Sequence, residues 1–263
     1  MINSPLNNKH IILTRSLDQI SDAKSLFVKN GAIIFDLPAL SINYPDDVRP
    51  LDEALFEIEN FHWIIFSSIN GIKYVDDRLK FHGNSLKECS KKNKIAVVGR
   101  KTAEYLIQMG IEPNFVPPDY VAESLIENFP VSGYGLKVFL PRVKTGGRNI
   151  ISEAFRKSGA RVVEVPAYET NCPTTIPEST LQAINNRKID AITFASGKTV
   201  RNCAHLLEKY FGKSWLLQIK DAKFLTIGPQ TSKVCVDLFG RVDKEAEEYT
   251  FEGLLSAAKE IFK

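Results

Sequence analysis

The chain lacks the features that would tie it to a membrane, a metal or a nucleotide. No run approaches the ~18–20 apolar residues of a membrane span. Residues 1–10 are polar with no apolar core, so a signal peptide is not expected. Cysteine is scarce: Cys89, Cys172, Cys203 and Cys235 stand far apart with no C-x-x-C pair, which disfavours a disulfide framework or a structural zinc site. The histidines, His10, His62, His82 and His205, show no ligand spacing. Charge of one sign is missing too. Lys+Arg is 34 against Asp+Glu 31, a net charge of only +3, and no basic stripe marks a nucleic-acid binder. The one dense basic run, 87–94, reads as a solvated loop. A reduced, cytoplasmic protein without nucleic-acid or membrane partners is the expectation.

Nucleotide motifs are absent as well. Ser196-Gly197-Lys198-Thr199 resembles the end of a phosphate loop, but the glycine that should open it falls on Ile192, inside a strand-like run. No G-x-G-x-x-G follows a strand and no G-x-S-x-G elbow occurs, which argues against a dinucleotide enzyme and a serine hydrolase. No metal and no cofactor is indicated.

What is present is ordinary globular composition, 44% hydrophobic and 25% charged over 263 residues. At roughly 150 residues per domain, that length suits about two domains. The chain also repeats itself. Ile11-Ile12-Leu13-Thr14-Arg15 matches Val138-Phe139-Leu140-Pro141-Arg142, Pro38-Ala39 matches Pro166-Ala167, and Phe66-Ser67-Ser68 matches Phe194-Ala195-Ser196. Val98-Gly99 with Thr102 matches Ile227-Gly228 with Thr231, and Tyr120 matches Tyr249. These anchors keep a nearly constant offset, which implies an internal duplication.

Each half alternates short Ile/Val/Phe runs with amphipathic stretches. Buried parallel strands are expected near 10–14, 32–36, 62–67, 94–98, 136–140, 161–165, 190–194 and 223–227. Helices are expected over 22–30, ending at Gly31, over 102–109, ending at Gly110, and from Gly228-Pro229. The fold class is therefore α/β, with two similar parallel-sheet domains. Periodicity does not say how the strands are shared. The equivalent proline-bearing runs 36–40 and 164–168 read as extended crossings between domains.

Strand-to-helix turns carry the candidate site. They bear Arg15, Ser67, Ser68, Asn70, Gly99, Thr102, Arg142, Ser196, Lys198, Thr199, Gly228, Thr231 and Ser232. In open α/β sheets such turns lie at the carboxyl edge, where helix N-termini suit anions. Ser, Thr and Asn serve equally as plain N-caps there. The ensemble, repeated in both halves, suits a large polyanionic ligand.

These residues resemble a known family. Leu13-Thr14-Arg15, Phe66-Ser67-Ser68-Ile69-Asn70-Gly71, Val98-Gly99 with Thr102-Ala103, Val165-Pro166-Ala167-Tyr168, Ile227-Gly228-Pro229 with Thr231, and the tail 246–254 are similar to the uroporphyrinogen-III synthases, in order over nearly the whole chain. The resemblance implies one domain of 1–37 plus 171–263, another of 43–165, and a two-stranded linker of 38–42 and 166–170. It implies cyclisation of hydroxymethylbilane to uroporphyrinogen III, with inversion of ring D through a spiro intermediate and loss of water. No metal or cofactor is implied. The expected setting is a monomer, with substrate handed over by hydroxymethylbilane synthase.

Tyr168 is the implied proton donor to the leaving hydroxyl, with a packed hinge aromatic as its other reading. Arg15 and Arg142, at equivalent repeat positions, would be cleft cations for the eight substrate carboxylates. Two departures from the common pattern stand out: Pro141 and Val143 flank Arg142, and Gly197-Lys198 should make its turn flexible and cationic. The competing classes are a two-domain binding or sensing protein and an NAD-dependent enzyme.

Overall fold

The computed structural model describes residues 4–14 and 17–263, with side chains in the first helix described from Ala23 onward. In chain order the elements begin β1 (His10–Leu13), α1 (Leu17–Val28), β2 (Ile33–Asp36), β3 (Ser41–Asn43), α2 (Arg49–Phe56), β4 (Trp63–Phe66), α3 (Ile69–Phe81), α4 (Leu86–Cys89) and β5 (Lys94–Val97). Next come α5 (Arg100–Gln108), α6 (Ala122–Glu127), β6 (Lys137–Val143), α7 (Ile150–Lys157) and β7 (Arg161–Asn171). The remainder is α8 (Glu178–Asn185), β8 (Ala191–Phe194), α9 (Gly197–Phe211), α10 (Trp215–Gln218), β9 (Lys223–Thr226), α11 (Pro229–Phe239), β10 (Lys244–Glu245) and α12 (Phe251–Ile261). Among the described residues, no helix is long and apolar enough to cross a membrane.

The chain divides into two compact units. One is discontinuous, the residues up to Ser41 with Asn171–Lys263; the other is continuous, Ile42–Thr170. The discontinuous unit holds a sheet of order β10-β9-β8-β1-β2, and the continuous unit one of order β3-β7-β6-β4-β5. Each sheet therefore combines strands from both halves of the chain: β1 and β2 with β8, β9 and β10 in one, and β6 and β7 with β3, β4 and β5 in the other. The registers correspond as well. Ile11 faces Ala191 as Val138 faces Trp63, His10 faces Ile33 as Lys137 faces Arg161, and Ala191 faces Lys223 as Trp63 faces Lys94. Even the edge agrees: β10 sets Lys244 against Leu225, and an isolated bridge sets Phe115 against Ala96.

Alternation along the strands fills both faces of each sheet. In the continuous unit, Ile64, Phe66, Ile95, Val97 and Phe139 pack to one side, and Trp63, Ile65, Ala96, Val138 and Leu140 to the other. In the discontinuous unit, Ile12, Ile192, Phe194 and Phe224 oppose Ile11, Leu13, Ala191 and Leu225. The strands are apolar on both faces because helices cover both, as parallel sheets require.

One local expectation needs correction. The basic run 87–94 is a loop only over residues 90–93. Ser85 caps α4 by accepting from the Glu88 amide, Leu86 and Cys89 turn inward, and Lys94 opens β5. The lysines of that run face solvent while the apolar residues between them anchor it. The run 164–168 is extended, as expected, and lies within β7, whose register slips after Arg142↔Pro166 so that Val143 faces Tyr168 and Ala167 is passed over. Pro166 has no N–H for the ladder, which favours such a bulge. The slip brings Tyr168 into the same core cluster as Val165 and Ala167.

Candidate active site

The carboxyl edge of the continuous unit gathers its turns around one cavity of about 260 Å³. Ser67 comes from the β4–α3 turn, Val98 from the end of β5, and Tyr120, Val121 and Ala122 from the start of α6. Leu140, Arg142, Val143, Gly147, Arg148, Ile150 and Ile151 come from β6, the following loop and α7, and Tyr168 from β7. The lining is apolar, with Ser67, Tyr120, Arg142, Arg148 and Tyr168 as its polar groups.

Tyr168 is only 7% exposed. Its ring stacks on Tyr74 at 5.8 Å, and its Oη lies 3.0 Å from Oγ of Ser68. Ser68 is the N-cap of α3. Its backbone is extended, and its Oγ accepts from the Gly71 amide at 3.1 Å, as a serine ahead of a helix does. Tyr74 in turn donates its hydroxyl to the carbonyl of Ile42 at 2.6 Å, and its ring meets Tyr44 edge-on at 4.8 Å. The bulge, the stack and the cap together leave the phenol one position, beside the cavity.

Arg142 lines the cavity but is not a free cation. It is ion-paired with Glu164 across β6 and β7, and its Nη1 donates to Oδ1 of Asn149 at 2.6 Å. Arg156 reaches the second oxygen of Glu164 at 3.3 Å. Burial alone would raise the Glu164 carboxyl. A hydrogen bond from Ser152 and the two guanidinium groups outweigh it and hold the carboxyl below its usual range. Lys144 pairs with the buried Glu169 at 2.7 Å, which raises the lysine, and its amide donates to the Tyr168 carbonyl at 2.8 Å. Arg148 pairs with Glu123 at the mouth. Asn70, Gly99 and Thr102 sit at the same sheet edge, outside this lining. Asn70 is in the first turn of α3, Gly99 precedes α5 with φ +93°, and Thr102 is buried.

In the discontinuous unit the turn residues serve their helices. Ser196 accepts from the Thr199 amide at 3.2 Å, and Thr199 Oγ1 accepts from the Ser196 amide at 3.2 Å, a reciprocal capping box. Gly197 is not a flexible point: a β-carbon there would come within 3.0 Å of Val234 Cγ2, so it is where α9 and α11 approach. Lys198 is exposed in the first turn of α9. Gly228 precedes α11 in extended backbone beneath the ring of Tyr249, and Thr231 is buried. Ser232 shares a hydrogen bond of 2.7 Å with Thr226 and is bonded to Glu245. Arg15 lies outside the described residues. Among the described residues, no three His, Cys, Asp or Glu side chains are grouped to hold a metal ion.

The family model described as uroporphyrinogen-III synthase HemD matches residues 21–256. The chain belongs to the uroporphyrinogen-III synthase family. It is 41% identical over 262 residues to the uroporphyrinogen-III synthase of Synechococcus elongatus, covering 99% of this chain and 98% of that one. A putative uroporphyrinogen-III synthase of Methanothermobacter thermautotrophicus is 27% identical, covering 93% and 95%. Among solved structures, uroporphyrinogen-III synthetase from Helicobacter pylori superposes with TM-score 0.63 at 17% identity, covering 96% and 99%. A mutant uroporphyrinogen III synthase from Thermus thermophilus superposes at 0.57 and 18% identity, covering 96% and 98%. These structural likenesses carry the fold: two units with mostly parallel sheets.

Against this uroporphyrinogen-III synthase background, several residues in the cavity wall, and Glu164 paired with Arg142 beside it, had escaped sequence reasoning. Glu164, Gly147, Arg148 and Tyr120 carry no motif of their own. The Gly146-Gly147 pair was the available signal for a close approach, and Tyr120, already an anchor of the repeat, takes φ +55° at the cavity wall. Tyr74 lies 94 residues from the tyrosine it stacks on, so no local pattern could join them.

Proposed function

We propose that the chain cyclises hydroxymethylbilane to uroporphyrinogen III, inverting ring D and releasing water, as a lyase of tetrapyrrole biosynthesis. The full-length 41% identity to the Synechococcus relative is the observation that carries this reading. The cavity supports it in detail. At about 260 Å³ it falls below the roughly 300–1,000 Å³ of pockets that enclose a whole drug-sized ligand, so it suits one pyrrole ring of the bilane.

Tyr168 is the acid in this proposal. A phenol O–H can act as a general acid and give its proton to a leaving hydroxyl. The C–O bond breaks with its electron pair on oxygen, and water departs. Electrophilic carbon then meets the substituted carbon of ring D. Direct closure would give the type I isomer, so the remaining work is orientation. Arg142 and Arg148 stand where the acidic side chains of a ring in the cavity would reach them. The turns at Ser67, Asn70, Gly99 and Thr102, and those at Arg15, Ser196, Lys198, Thr199, Gly228, Thr231 and Ser232, are proposed to take further carboxylates through backbone amides. The setting is a cytoplasmic monomer fed by hydroxymethylbilane synthase, whose product is the substrate.

The common register of the two sheets supports descent from one duplicated unit. Asp190 accepts the amide of His10 at 2.8 Å where His62 accepts that of Lys137 at 2.9 Å, so even side-chain brackets on the strands recur.

The test supplies freshly made hydroxymethylbilane and separates the type I and type III products. Type III in excess of the no-protein control is expected. Type I alone would overturn the reading.

A further inference from the structure

We propose that Ser68 is a positioning residue for the proton of Tyr168, and that it carries the charge left on the phenol once that proton has gone. The proposal rests on Tyr168 being the acid.

A serine hydroxyl has one hydrogen and two lone pairs. One lone pair of Ser68 is committed to the Gly71 amide at 3.1 Å, and among the described residues the only other polar atom bonded to this oxygen is the phenol oxygen of Tyr168 at 3.0 Å. When the serine donates across that contact, the phenol hydrogen turns away from Ser68. With the ring fixed against Tyr74, the cavity that Tyr168 lines is where it can go.

The same bond stabilises the product of proton transfer. The phenol O–H gives its proton to the leaving hydroxyl, water departs, and a phenolate remains. Ser68 then donates to a charged oxygen, a stronger bond than to a neutral one. Its own oxygen is polarised by the Gly71 amide at the positive end of α3, a helix of 13 residues. The proton lost from the macrocycle on closure returns to the phenolate, and the cycle balances.

The chain contains its own comparison. Ser196, 128 residues on, caps α9 with nearly the same backbone, φ −168° against −159°. The position that far before Tyr168 is Leu40, which has no hydroxyl to orient. Ser196 instead closes a capping box with Thr199, whereas the residue three beyond Ser68 is Gly71, which cannot. At position 68 the hydroxyl is turned to Tyr168.

The experiment separates the cap from the donor. Glycine is nearly as good an N-cap as serine but has no hydroxyl. Ser68→Gly should keep the melting temperature and KM while kcat falls roughly 10- to 100-fold, the range a hydrogen bond to a charged group is worth. Ser68→Thr should restore the rate. In a Tyr168→Phe background, Ser68→Gly should cost less than about 2-fold further, because the group it serves is gone. Ser68→Cys, similar in shape with a weak donor, gives the same reading should the glycine variant not fold. Wild-type kcat in Ser68→Gly beside a slow Tyr168→Phe overturns the inference alone, as does an undiminished loss in the double variant. Full activity in Tyr168→Phe overturns the reading of Tyr168 and this inference with it.

Discussion

A β-carbon on residue 147 would lie 2.5 Å from Nη2 of Arg142, so the guanidinium occupies space that Gly147 leaves open. That guanidinium is also fixed by Glu164 and Asn149 and cannot simply swing aside. Gly147→Ala should displace Arg142 and raise KM about 10-fold with a smaller effect on kcat, as loss of one charged contact does. Arg142→Ala should do the same, and the double variant should be no worse than either single one. Steady-state kinetics on hydroxymethylbilane check this; additive losses would show that the two residues act separately.

Tyr168→Phe keeps the ring, its stack on Tyr74 and its buried position, and removes only the hydroxyl. A general acid contributes typically ~10²–10⁴-fold, and water can partly replace it for so small a leaving group. Turnover should fall toward that range while KM and the type III preference stay. Isomer analysis decides the role: type I product would mean that the hydroxyl steers ring D.

Acid should weaken this fold through identifiable carboxylates. The hydrogen bond from Arg78, at 2.6 Å, outweighs burial and lowers Asp52. Burial raises Asp243, but the Phe224 amide and Lys223 outweigh it and leave it lowered. A carboxylate depressed in the folded state stabilises above its ordinary range, and that contribution is lost as pH falls through the folded value. Asp52→Asn and Asp243→Asn should each cost about 1 kcal/mol or more at pH 7. The deficit relative to the parent should shrink below about pH 4. Urea midpoints across that range give the measurement; a deficit constant with pH would contradict it.

Thiol chemistry should be silent at the three buried cysteines of the native protein. Burial pushes Cys89 up to about 11 and Cys235 up to about 12, and raises Cys203 further in the same direction. A thiol in that state has almost no thiolate at pH 8. Alkylation at pH 8 followed by mass spectrometry should leave these three unlabelled until denaturant is added. Rapid native labelling of Cys203 would show that α9 opens locally.

The strands were legible because each is a short Ile/Val/Phe run walled by helices on both faces. Only the edges escaped: β3, Ser41-Ile42-Asn43, and β10, Lys244-Glu245, are too short and polar to register. α4 was hidden for the opposite reason, since its two anchors, Leu86 and Cys89, sit in a crowd of lysines. The turn residues were legible as a class, because a polar residue after an apolar run marks a strand end. Their partners were not. The Ser68–Tyr168 bond spans 100 residues and the Arg142–Glu164 pair 22, and only the sheet order and the β7 bulge bring these together.

The strand exchange has a consequence during synthesis. β1 and β2 leave the ribosome first, yet β1 must pair with β8, and the residues up to Ser41 belong with a segment that begins at Asn171. At ~5–20 residues per second, they wait on the order of ten seconds for it. The continuous unit, second to begin, is complete first. The nascent chain therefore carries an apolar strand–helix–strand tail through most of translation, and a chain stopped before β8 leaves that tail permanently unpartnered, a ready target for chaperones and proteases.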